Sequence, residues 1–284
     1  MTPDIDAELV RRLVDAQFPQ WAGLALERFE PAGSDHVIHR LGGELSVRLP
    51  RHRWAVGQAV RESELLPRLA PRLPLAVPVP VVVGEPGFGY PWPWAVSRWL
   101  VGETATVEGL GGSAEAAVAL AEFLTALRGC PVAAGAGVRP PLAGRDAETR
   151  AAVRATAGVF DAAAMTALWE AALAAPGWAG DPVWCHGDLH TGNLLTSGGR
   201  LSAVIDFGEL AAGDPACDLT VAFTLLSPPA RAVFRAALGV DEATWTRGRG
   251  WALATALNAY TAYAAADPRV AAQTTRQITA ALAG

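Results

Sequence analysis

From Val183 to Gly208 the chain alternates short apolar runs with polar loops. Val183-Trp-Cys leads into His186-Gly-Asp-Leu-His-Thr-Gly-Asn193, Leu194-Leu follows, and after Leu201-Ser-Ala-Val-Ile comes Asp206-Phe-Gly. The glycines and polar residues break any helical period, so the stretch reads as strand–loop–strand twice over. Each loop then offers a carboxylate or amide at a strand end, where a ligand reaches it. Asp188 precedes Asn193 by five residues and Asp206 by eighteen. Two carboxylates and an amide oxygen suit Mg²⁺, a hard cation that takes oxygen ligands. Asn193 and Asp206 are its candidate ligands. Asp188 is left to position a hydroxyl for attack on a phosphate, as in an Asp-x4-Asn loop followed by Asp-Phe-Gly.

Taken together, His186-Gly-Asp-Leu-His-x-x-Asn193, Ile205-Asp-Phe-Gly208 and Asp214-Pro-Ala-Cys-Asp218-Leu resemble the aminoglycoside phosphotransferase family. The likeness runs from about Phe29 to the helix after Asp214. It implies an α+β, bilobal protein-kinase-like fold, with a small antiparallel-sheet N-lobe and a larger, mainly helical C-lobe. The lobes are expected over residues 1–100 and 101–284, with a hinge near 97–102. The resemblance also implies ATP or GTP as phosphate donor and a small-molecule acceptor. His186 is expected to pack under the catalytic loop, and Asp218 to hydrogen-bond that loop from below.

Arg48, in Leu45-Ser-Val-Arg-Leu-Pro, stands where the kinase pattern has Lys. Glu62 on the following helix is its expected ion-pair partner, with Glu64 the competing choice on another face. Every basic residue of this chain is Arg, and an Arg keeps its charge and grips phosphate bidentately. Gly33 and Ser34, just before the first long strand, are candidates for a backbone cradle over the phosphates. Backbone groups of residues 97–100, Ser97 and Trp99 among them, are candidates to meet a purine edge.

Two bland alternatives compete. His186 and His190, four apart, invite a zinc-hydrolase reading, but Gly187 and Gly192 disfavour the helix that such a pair needs. A non-catalytic, pseudokinase-like nucleotide-binding module predicts decay at Asp188, Asn193 or Asp206, and all three are intact. Whether His190 faces phosphate or solvent is left open by the spacing. A protein substrate is disfavoured, because only five residues separate Gly208 from Asp214, too few for a peptide-holding activation segment.

The bulk properties narrow the partners. The chain has 284 residues, 23 basic and 28 acidic, for a net charge of −5, which gives no basic excess to attract nucleic acid. Three cysteines without a Cys-x-x-Cys argue against a disulfide framework. The first residues are acidic and lack an apolar signal core, and no apolar run reaches membrane-spanning length. A cytoplasmic monomer or homodimer without membrane contact is expected. Downstream of residue 181 the acidic residues beyond the catalytic set are mainly Glu209, Asp241, Glu242 and Asp267, against seven Arg. Trp178, Trp245, Trp251, Tyr260 and Tyr263 lie in the same half. This balance points away from a polycationic aminoglycoside and toward a macrolide or nucleoside-type antibiotic.

Periodicity predicts a first helix over 3–17, strands at 37–41 and 45–49 around a Gly42-Gly43 turn, and a helix over 55–70 that Pro67 kinks or ends. Strands follow at 79–83 and 94–100. Ser113 is expected to cap a helix running to Arg128, with Gly129 stopping it. Further helices are expected near 146–157, 161–174, 228–238, 242–264 and 268–282. Asp214 is read as an N-cap before Pro215.

Overall fold

The computed structural model describes residues 4–30, 35–133 and 135–284. The chain divides into two compact units, Met1–Gly102 with Ala203–Gly208, and Glu103–Ser202 with Glu209–Gly284.

The first unit is a five-stranded antiparallel sheet with two helices. Helix α1 (Ala7–Gln17) begins where the Asp6 carboxylate accepts the Leu9 N–H. Strands β1 (Leu26–Arg28), β2 (His36–Leu41), β3 (Leu45–Pro50), β4 (Pro80–Gly84) and β5 (Trp94–Arg98) lie in the order β1-β2-β3-β5-β4. Gly42 takes a positive φ of 59° and closes the β2–β3 hairpin, a conformation glycine adopts without steric cost. Period-two alternation sends Val37, Leu41, Val47, Leu49, Trp94 and Val96 into one core with Val10, Leu13 and Val14 of α1. The opposite face carries Arg48 and Ser46, and Ser97 is paired with Ser46. Helix α2 (Gln58–Leu69) carries Pro67 within its last turn and ends two residues later, passing into a 3-10 turn at Ala70–Arg72. The proline thus closes the helix rather than breaking it, since few hydrogen bonds remain to lose at that end.

The second unit is mainly helical. Short strands β6 (Glu103–Thr104), β7 (Val183–Cys185), β8 (Leu194–Ser197), β9 (Arg200–Val204) and β10 (Ala211–Gly213) form two small sheets, β10-β7 and β6-β8-β9. Around them stand α3 (Val107–Leu110), α4 (Ala114–Arg128), α5 (Asp146–Thr156), α6 (Ala162–Ala174), α7 (Thr220–Thr224), α8 (Pro228–Leu238), α9 (Glu242–Tyr263) and α10 (Pro268–Ala283). Ser113 caps α4 through its hydroxyl, which accepts the Ala116 N–H, and Gly129 ends it. Two arginines satisfy the last carbonyls of α10. Arg231 donates to Ala280 and Gly284, and Arg249 to Ala281 and Leu282. Among the described residues no helix is long and apolar enough to cross a membrane.

The α+β class, with a small antiparallel sheet and a mainly helical part, is the one the sequence predicts. Four short elements, β1, β6, β10 and α3, escape the periodicity because two to four residues carry no period.

Two histidines make the first unit acid-sensitive. His36 and His39 are buried, and neither ring nitrogen of His39 has a hydrogen-bond partner. Burial lowers the pKa of both. The Arg48 guanidinium lowers that of His36 further, and Arg28 that of His39 against an opposing effect of Glu30. With folded pKa values below the unfolded value of about 6.5, the unfolded chain binds the extra protons. The stabilisation is therefore complete above pH 6.5 and lost as pH falls below it, by on the order of 1 kcal/mol per pH unit for each proton. Urea denaturation at pH 7.5 and 5.5 should show this loss, and His39→Leu should shrink it. An unchanged pH dependence would clear His39.

Candidate active site

In the second unit the chain leaves β7 at Cys185 and turns sharply. The turn is organised by Asp218, which is fully buried. Its two carboxylate oxygens accept the backbone N–H groups of His186 at 2.9 Å and Gly187 at 2.8 Å. Charge-assisted bonds of this kind are what make burying the carboxylate tolerable. Gly187 sits at φ 87°, and a Cβ there would lie 1.7 Å from Arg139 Nη2, so both the backbone angle and the space demand glycine. The ring of His186 is buried beneath the loop, and its Nδ1 accepts the Asp188 N–H at 3.3 Å.

Asp188 emerges from this turn with its side chain half exposed. Asn193 donates through Nδ2 to the Asp188 carbonyl at 2.8 Å and to Asp188 Oδ2 at 3.2 Å. Both are acceptors, so the amide orientation is fixed and Asn193 Oδ1 is turned to the other side, the donor a hard cation needs. His190 turns toward the same carboxylate. Its Nδ1 accepts the Gly192 N–H at 3.0 Å, which leaves the proton of the neutral ring on Nε2, 3.5 Å from Asp188 Oδ2. His190 therefore faces Asp188, the question its spacing leaves open. Burial raises the Asp188 pKa, but the hydrogen bond from His190, the electrostatic pull of the His190 and His186 rings and the hydrogen bond from Asn193 outweigh it, holding the carboxyl at about 2. Asp188 is thus an ionised acceptor at neutral pH, with Oδ2 committed to Asn193 and His190.

The first unit supplies a second constellation. Arg48 on β3 donates to Glu62 Oε2 on α2 at 2.8 Å, and its Nη2 lies 3.6 Å from Asp206 Oδ1. Glu62, not Glu64, is the partner. Burial works against both charges of this pair. For Arg48 the neighbouring Glu62 and Asp206 overcome it and raise the pKa. For Glu62 burial prevails with help from Asp206, so its pKa is raised despite Arg48. Glu62 Oε1 is buried without a hydrogen-bond partner, one polar atom left for a ligand group. Asp206 adopts φ 64°, in the left-handed region that non-glycine residues rarely occupy and that recurs at functional sites. Arg61 secures the segment by donating to the Gly208 carbonyl at 2.9 Å.

Gly33 and Ser34 lie outside the described residues. Ser97 is fully buried, and its hydroxyl oxygen has no hydrogen-bond partner. The Trp99 N–H is taken by the Glu44 carbonyl at 2.8 Å, so that donor does not meet a purine edge; the ring packs against Phe29 and Arg40. His186 and His190 each spend Nδ1 on a backbone N–H, which is no zinc arrangement. Asp214 does cap, accepting the Ala216 N–H, but it also forms a buried two-point ion pair with Arg247 (2.7 and 3.1 Å) that spacing does not reveal.

Comparison with known proteins gives the family and the fold. The family model described as the phosphotransferase enzyme family matches residues 26–251. Among solved structures, the complex of APH(2″)-IIIa with GDP and kanamycin is 20% identical, with a TM-score of 0.75 over 97% of this chain and 98% of that one. The macrolide 2′-phosphotransferase MphH from Brachybacterium faecium is 26% identical, with a TM-score of 0.61 over 98% and 97%. The ternary complex of APH(2″)-IIa with streptomycin and ATP is 14% identical, with a TM-score of 0.63 over 99% of each chain. No curated protein sequence matches the chain significantly.

Because Glu62 is almost entirely enclosed, removing its partner strands a buried charge. Arg48→Met should cost about 3–5 kcal/mol in denaturant unfolding. Adding Glu62→Leu should recover most of that loss, since an apolar pair replaces a buried ion pair at little net cost. Additive losses in the double variant would show that the two side chains do not depend on each other.

Proposed function

The chain belongs to the phosphotransferase enzyme family, and from that membership and the Asp188 loop we propose a Mg²⁺-dependent small-molecule kinase that phosphorylates a hydroxyl of an antibiotic or metabolite. It is an enzyme, a phosphotransferase with an alcohol group as acceptor. The finer reading is carried by one observation: Asp188 is held ionised with Oδ2 occupied by Asn193 and His190, which leaves Oδ1 to receive an acceptor hydroxyl.

In this reading Asp188 orients the hydroxyl and takes its proton as the new oxygen–phosphorus bond forms and the bond to the departing nucleoside diphosphate breaks. A low pKa suits the task, because little proton transfer has occurred in a loose transition state and positioning dominates. Arg48, braced by Glu62, grips the phosphates of the donor. Asn193 and Asp206 are the residues that would hold Mg²⁺; each offers an oxygen, one through a fixed amide and one through a half-exposed carboxylate. When bound, Mg²⁺ would supply positive charge to offset the charge that develops on the transferred phosphate. The donor is ATP or GTP, as complexes of the similar proteins with GDP and with ATP suggest. Arg48, which stands where the kinase pattern has Lys, makes the buried ion pair with Glu62 that this reading needs.

Of the four acidic residues that a polycation would need, Asp241 and Asp267 cap helices and Glu242 pairs with Arg235. Trp245 and Trp251 are core residues, which removes part of the aromatic argument. An acceptor with few positive charges, a macrolide before a nucleoside-type antibiotic, fits what remains, and MphH is a macrolide phosphotransferase.

Asp188→Ala should lower kcat by roughly 10²–10⁴ while nucleotide binding survives. Normal turnover of this variant would remove Asp188 from the chemistry. Asp206→Ala should abolish the Mg²⁺ dependence of nucleotide affinity, and Arg48→Lys should retain more activity than Arg48→Met. A nucleoside-diphosphate release assay across macrolides, nucleoside antibiotics, amino alcohols and aminoglycosides identifies the acceptor. Turnover of kanamycin-like compounds alone would overturn the charge argument and leave the kinase standing.

A further inference from the structure

Arg139 belongs to no helix and no named strand, yet it is held from several sides. Its N–H donates to the Ala212 carbonyl at 2.8 Å, and the Ala212 N–H donates to Gly137 at 2.8 Å, so residues 137–139 run beside β10. Its side chain is only 9% exposed. Nη2 donates to the Glu209 carbonyl at 2.7 Å and stands 3.5 Å from the Glu209 carboxylate. Nη2 also occupies the space that a side chain on Gly187 would need, and a Cβ there would lie 2.7 Å from the Glu209 carbonyl oxygen. A Cβ on Gly213 would come within 3.1 Å of Arg139 Cβ. Two glycines thus make room for one arginine, Gly187 for its guanidinium and Gly213 for its Cβ.

This is an expensive arrangement for a surface loop. Nε is buried without a hydrogen-bond partner, and a buried cation costs stability that an apolar side chain of similar size would not. What the cation touches is specific: the residue before Asp188 and the carbonyl of Glu209, directly after Asp206-Phe-Gly208. Asp188 has to meet a hydroxyl within a fraction of an ångström, and its loop turns at Gly187, the most easily rotated residue available. Asp218 holds that turn by two N–H groups; Arg139 packs against its Cα.

We propose that Arg139 is a positioning residue for phosphoryl transfer, clamping Gly187 to the Glu209 carbonyl and so fixing the direction in which Asp188 Oδ1 meets the acceptor. The inference rests on reading the Asp188 loop as the site of transfer. It places a determinant of turnover in a segment that carries none of the family's motif residues.

The test compares the parent with Arg139→Met and Arg139→Lys, using steady-state kinetics, nucleotide affinity, thermal midpoint and amide hydrogen exchange. Arg139→Met should lower kcat by about 10²-fold, the loss expected for an ångström of misplacement. Nucleotide affinity should stay within about twofold and exchange should rise at residues 186–188 and 209–211. Arg139→Lys still donates one bond to the Glu209 carbonyl and should recover at least tenfold of the loss. Unchanged kcat and unchanged exchange in a folded Arg139→Met would overturn the proposal. So would a kcat loss that Lys does not recover and that accompanies equal losses of nucleotide affinity and thermal midpoint. Should the parent itself turn over no acceptor, the transferase reading fails, and the exchange comparison still decides whether Arg139 holds the loop.

Discussion

The burial of the Asp218 carboxylate is the constraint from which the catalytic loop follows. A carboxylate without solvent must find hydrogen-bond donors, and the two it finds are consecutive backbone N–H groups of His186 and Gly187. Two consecutive N–H groups aimed at one side chain force the chain to reverse there, and Gly187 supplies the positive φ. Asp188 then leaves the turn in one direction, with its own N–H returned to the His186 ring. The Asp188 side chain is thus placed by three backbone groups before it makes any contact of its own. Arg128, buried nearby, feels the Asp218 charge as a counterweight to a pKa that burial lowers.

The first unit solves a similar problem with opposite materials. Its enclosed charge is the Arg48 guanidinium, and enclosing it demands a carboxylate that is itself enclosed. The pair is tolerable because Glu62 gives one oxygen to Arg48 and because Asp206 lies close to the far side of the same guanidinium. An ammonium would make a point contact there. A planar fork spans two carboxylates at once, so exchanging Lys for Arg alters how the site is braced without removing the brace.

Much of this was legible in the sequence, for identifiable reasons. The loops that carry Asp188, Asn193 and Asp206 are short and bounded by apolar runs, so local spacing encodes their placement on strand ends. Helices α4, α6, α9 and α10 carry their own caps, and Ser113, Asp161, Asp241 and Asp267 mark their starts. Of the contacts between distant segments, Arg48 with Glu62 and Asp218 with the loop above it follow from the family resemblance, and the others were not legible. Asp214 reads as a cap, and nothing within five residues announces Arg247. Arg139 lies in a stretch of Pro, Gly and Ala that carries no period, and its importance comes from a neighbour 48 positions away in Gly187. The ring of His190 is directed by the Gly192 N–H, a detail of loop geometry rather than of residue spacing.

A chain in which Arg stands for every Lys has a consequence for how such an enzyme can be handled. Reagents that label phosphate-binding sites commonly acylate a lysine amine, and a guanidinium charged at every accessible pH offers them no nucleophile. Thiol chemistry is closed as well. All three cysteines are buried, and the Cys217 thiol is kept protonated by its hydrogen bond with Cys185 and by burial. No side chain of the folded protein presents an amine, and none presents an accessible thiol. A cysteine placed by design at any surface position would therefore be the single point at which a probe or tether attaches.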